Sequence, residues 1–88
     1  MQGTPKFLLS EYTVDPALMA TNLRALLHHH AISQYRLARE MGVTDRAVRN
    51  WVRGESPPSI SNLRKLADLF ELEPSWFYTD HSEIEAAA

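Results

Sequence analysis

Between Asp45 and Arg53 the chain reads DRAVRNWVR, with three arginines and an asparagine at spacings that a helix sorts onto one side. At ~100° of rotation per helical residue, Asp45, Arg46, Arg49, Asn50 and Arg53 share one arc, while Ala47, Val48, Trp51 and Val52 share the opposite one. Guanidinium forks and a carboxamide carried on a rigid helix can form paired hydrogen bonds to planar acceptor edges, the chemistry by which base pairs are read. The apolar arc is the surface by which such a helix is held. An ordinary solvated helix also places charge outward, but three arginines on nine residues of an otherwise acidic chain are not ordinary.

The charge distribution supports this reading although the total does not. The 88 residues carry a formal net charge of −2, whereas phosphate binding runs on lysine and arginine. From Ile32 to Lys65, however, Arg36, Arg39, Arg46, Arg49, Arg53, Arg64 and Lys65 face only Glu40, Asp45 and Glu55, a local balance of +4. From Leu66 onward there are six acids and no lysine or arginine. The molecule is polarised, with a basic middle and an acidic end.

The elements that must hold the arginine arc are legible from caps and periodicity. Asp15 before Pro16 is an N-cap with proline at the first helical position; this first helix should run to about His29, with Met19, Leu23, Leu26, Leu27 and His30 inward and Thr21, Asn22 and His28 outward. Ser33 caps a second helix whose Leu37, Ala38 and Met41 face the core, and Gly42 supplies the turn at its end. Thr44 caps the third. The segment ESPPS after Gly54 is a connecting loop, because two adjacent prolines remove donors and push their neighbour toward extended backbone. Ser59 caps a fourth helix lined by Ile60, Leu63, Leu66, Ala67 and Phe70, and a short fifth begins at Pro74. The fold expected is all-α, about five short helices. Residues 79–88 have too little apolar content to pack and are expected to form an acidic, mobile tail.

The pattern from Gln34 to Arg53, with Leu37, Ala38, Met41, Gly42, Val43, Val48 and Trp51 in order, resembles the helix-turn-helix of the phage repressor and Cro-like family of bacterial regulators. Ala38 is the small side chain where two helices touch, Gly42 the turn, and Val48 and Trp51 the plugs facing inward. The likeness extends through Arg53-Gly54, the Pro58-Ser59 loop and the helix from Ile60 to Phe70, covering roughly residues 15 to 78, the expected DNA-binding domain; residues 1–14 form an unassigned N-terminal extension.

The resemblance implies a lambda-repressor-like domain in which helices 2 and 3 form the motif and helix 3 enters the major groove, while helix 2 crosses the backbone. Carried over residue by residue, it makes Arg46, Arg49 and Asn50 the base-reading candidates, arginine pairing with guanine and asparagine with adenine. Asp45 is a further candidate, as an acceptor from cytosine, although an acid in a first helical turn is also stabilised by the helix dipole alone. Gln34 and Thr44 lie at helix starts that favour a phosphate, and Arg53 is long enough to reach another. Arg36 and Arg39 on the outer side of helix 2 are backbone candidates of lower rank. The chain departs from the family where Val52 replaces a frequent acid that pairs with an arginine at the place of Arg24, and where Glu71 replaces a frequent glycine.

Family members commonly dimerise through their C-terminal part, so Trp76, Phe77 and Tyr78 are candidate dimer contacts, three adjacent aromatics being too many for one small core. The function expected is a sequence-specific transcription regulator, a repressor binding a palindromic operator as a homodimer. The alternative is an antitoxin-type module that engages a protein partner, a toxin or a larger regulator, through its acidic end and autoregulates through the same motif. An enzyme is not expected, since no phosphate-binding glycine loop, paired carboxylates or Ser-His-Asp arrangement is present. No cofactor or metal is expected either: cysteine is absent, and His28, His29 and His30 as helical neighbours point ~100° apart and do not converge. With no apolar run near the ~20 residues of a membrane span, the chain is expected to be soluble and cytoplasmic, with no membrane partner.

Overall fold

Four short polar side chains start the helices of this protein. In the computed structural model, which describes residues 14–84, Asp15, Ser33, Thr44 and Ser59 each accept backbone amides of a first helical turn at 3.0 to 3.1 Å. Each such cap satisfies an amide that the helix cannot, worth about 1 kcal/mol. The helices that follow are α1 (Pro16–His30), α2 (Gln34–Met41), α3 (Asp45–Arg53) and α4 (Ile60–Leu69), and a 3₁₀ helix (Pro74–Tyr78) closes the order. The architecture is all-α. The fifth element is 3₁₀ and not α: it spans five residues, lacks a side-chain cap, and opens on a three-residue bond from the Trp76 amide to the Glu73 carbonyl at 2.9 Å.

All four α-helices end the same way. An amide reaches back five residues at each end, Ile32 to Leu27, Val43 to Ala38, Glu55 to Asn50 and Leu72 to Ala67, at 2.8 to 3.0 Å. This closure needs one left-handed residue, and glycine is the residue that takes that conformation without a steric cost. Gly42 and Gly54 take it at φ +72° and +76°. Ala31 and Glu71 take it at 56° and 58° without being glycine. Ile32, Val43 and Leu72, each just past its cap, then pack against the core.

The core joins Met19, Leu23, Leu26 and Leu27 of α1 to Leu37 and Ala38 of α2, Val48 and Trp51 of α3, Leu63, Leu66 and Ala67 of α4, and Phe77. Helix α1 lies against both α3 and the 3₁₀ helix, so the wall formed by α1 sets the position of the arginine-bearing helix. Val14 is also buried, which brings one residue of the expected N-terminal extension into the core; residues 1–13 lie outside the described residues.

Four sequence expectations are corrected. Asn22, expected to face outward, is 0% exposed, because its side chain ties down the C-terminal segment. Its amide donates to the carbonyls of Phe77 at 3.3 Å and Thr79 at 2.9 Å, and its oxygen accepts the His81 amide at 2.7 Å. Residues 79–84 are therefore docked where no packing was expected, with His81 stacked on Trp76 at 4.0 Å and Ile84 against the core; the remainder of the expected tail, 85–88, lies outside the described residues. His30 is exposed and not inward, since it is the last residue of α1 and its ring rests on Phe70 at 5.2 Å. Phe77 is 0% exposed, so as a fully enclosed core side chain it is not a dimer contact.

Candidate nucleic-acid interface

The apolar arc of α3 is buried through Val48, Trp51 and Val52, with Ala47 half-buried. That anchoring fixes the rotation of the helix. Asp45, Arg46, Arg49 and Arg53 consequently stand exposed, with Asn50 half-buried beside them. Ala38 of α2 is 1% exposed and Val48 0%, so the small residue and the plug both lie inside the core. Gly42 joins the two helices with open space around it, and φ alone requires glycine there.

The arginines divide by what holds them. Among the described residues Arg46 and Arg49 make no ion pair and no side-chain hydrogen bond. The others are engaged. Arg36 lies 3.9 Å from Glu40 and Arg53 3.9 Å from Glu55, both in exposed pairs of little energetic weight. Arg39 donates to the Tyr35 hydroxyl at 2.9 Å, its guanidinium 5.5 Å from that ring. Arg24 donates to the Val52 carbonyl at 2.7 Å. At the position where an acid was missing, the arginine has kept its place by bonding the backbone of α3.

The two helix starts differ in what they offer. Gln34 is exposed at the first residue of α2 and lines a cleft with Arg24, His28, Ser33 and Val52. The Thr44 hydroxyl already accepts the Ala47 amide at 3.0 Å. Its O–H hydrogen remains as a donor. In the 3₁₀ helix Tyr78 is 48% exposed and Trp76 half-buried.

Three of these contacts, those of Tyr35, Glu55 and Arg24, were not anticipated from sequence. Tyr35 was findable, because it stands four residues before Arg39, the spacing at which helical side chains meet. Glu55 was not, since its partner lies across a helix end. The Arg24 bond to Val52 links residues far apart in the chain and leaves no local signal.

The arrangement is an exposed helix with two unengaged guanidiniums and a carboxamide on one arc, held from behind by a core helix and flanked by helix starts. Such a surface can hydrogen-bond base edges and phosphates. Residues 23–77, more than half of the chain, match the family model described as helix-turn-helix. No curated protein and no solved structure matches the chain.

Proposed function

The chain belongs to the Cro/C1-type helix-turn-helix family of DNA-binding transcription regulators, and from that premise we propose that it is a repressor that binds a two-fold symmetric operator as a homodimer, with α3 in the major groove. One observation carries the choice of reading residues: Arg46 and Arg49 are the arginines of α3 with no partner among the described residues. A guanidinium already engaged must break a contact before it bonds a base; these two need not. Arg46 and Arg49 read guanine, Asn50 adenine, and Asp45 accepts from cytosine where the sequence offers it.

Gln34, Thr44 and Arg53 set the register on the phosphates, Thr44 through its O–H hydrogen and Arg53 after releasing Glu55. Arg36 and Arg39 act later in rank, each leaving a side-chain partner of its own. Trp76 and Tyr78 supply the dimer contact in place of the aromatic triplet, Phe77 being enclosed. Selection of bound sequences from a random DNA pool tests the proposal. An enriched palindrome with half-sites about one helical turn apart supports it, whereas an enriched sequence without dyad symmetry refutes the homodimer, and no enrichment refutes sequence reading.

A further inference from the structure

The C-terminal ends of α1 and α4 meet at one pocket. His30, the last residue of α1, touches the ring of Phe70, the residue after α4. Between them and α2 lies a half-open cavity of about 360 Å³ with Ile32, Leu37, Leu69 and Phe70 as apolar lining and Arg36, Glu40 and Glu71 as its charged groups. That volume lies within the range of small-molecule sites. Leu69 is 40% exposed there.

The backbone around this pocket is unusual in one respect. Ala31 and Glu71 are the non-glycine residues with positive φ among the described residues, and they close the two helices that meet here. Ala31 sits between the lining residues His30 and Ile32, and Glu71 is itself a lining residue. A left-handed backbone is sterically unfavourable for a residue with a Cβ, and such strain gathers at functional sites.

Electrostatics decides the class of ligand. Each helix C-terminus carries about half a negative charge, and two helices end at the pocket, where Glu40 and Glu71 add two formal negative charges. Arg36 offsets one of these through its exposed pair with Glu40 at 3.9 Å, which leaves one formal negative charge. The balance is negative, over an apolar floor with two rings. We propose that this pocket binds a small organic ammonium ion with an apolar body, of the arylalkylamine class. The apolar body covers Leu69 and the rings of His30 and Phe70, of which Phe70 attracts a cation through its face, and the ammonium group meets Glu40, Glu71 and the helix ends. The pocket shares Arg36 with the phosphate-contact candidates of α2 and contains none of the base-reading candidates of α3.

Titration of the isotope-labelled full chain with 2-phenylethylamine, followed by amide chemical shifts, tests the assignment, with phenylacetate as the charge-reversed control. The expected result is saturable shifts confined to residues 30–40 and 69–71, with a Kd on the order of 1 mM for so small a probe and phenylacetate at least about fivefold weaker. The double variant Glu40→Gln with Glu71→Gln, both on exposed side chains, should weaken the amine about fivefold while the shifts of the rest of the chain stay as in the parent. Equal binding of phenylacetate, shifts scattered over other faces, an unchanged amine affinity in the double variant, or no saturable shift at about 20 mM would each overturn the proposal.

Discussion

Replacing Asn22 by alanine probes the one buried polar side chain among the described residues. Its three bonds, at 2.7, 2.9 and 3.3 Å, hold the chain after Phe77 against α1. Two are of good length and the third is long, so at a net of about 0.5 to 1.5 kcal/mol each they amount to roughly 2 to 3 kcal/mol. The Phe77 carbonyl adds to that loss because its bond is buried, whereas the Thr79 carbonyl and His81 amide, only partly buried, regain water. The expected cost is about 2 to 4 kcal/mol, against a total stability on the order of 5 to 10 kcal/mol for a domain of this size. At about 4 to 8 °C per kcal/mol, the Tm falls by roughly 8 to 32 °C. Thermal unfolding by circular dichroism reads the total, and hydrogen exchange at the His81 amide reads the local detachment. Asn22→Asp keeps the acceptor for His81 but sets an oxygen against two carbonyls, so it should cost more than alanine. A loss below about 0.5 kcal/mol for Asn22→Ala, with His81 still protected, would refute the view that this side chain docks residues 79–84.

Two further outcomes are expected. Glu71→Gly removes the strain of a left-handed glutamate while adding freedom to the unfolded chain, for a net gain of about 0.5 to 1 kcal/mol and a Tm rise of about 2 to 8 °C in the same unfolding assay; a lower Tm would contradict it. Arg53→Ala should make the salt dependence of operator binding shallower by roughly one phosphate contact in titrations at several salt concentrations, and an unchanged slope would remove Arg53 from the backbone contacts.

How much of this was legible in the sequence follows from the range of each interaction. Asp15, Ser33, Thr44 and Ser59 announced every α-helix start because a cap bonds residues two or three positions away. The two faces of α3 were legible because burial there repeats with the helix period. Asn22 was misread by the same periodicity: its position on α1 says nothing about a partner 55 to 59 residues later. The 79–84 segment was misread for want of that contact, its polar composition concealing a bond made by its backbone and not its side chains. Ala31 was not recognised as a helix end for lack of a glycine, although the apolar Ile32 after it is half of the signature. The sorting of arginines into engaged and unengaged required coordinates, since Arg53 and Arg49 stand on the same arc and differ only in what lies beside them.

The central claim is that α3 reads bases through Arg46 and Arg49 and does not merely lend positive charge. The direct measurement is the affinity of the Arg46→Ala and Arg49→Ala variants for the selected operator and for random duplex DNA at one salt concentration. Base reading predicts that each variant loses about 1 to 3 kcal/mol on the operator, with preference relaxed at one base position per half-site, and far less on random DNA. Equal losses on both DNAs would reduce the two arginines to phosphate contacts and contradict the account.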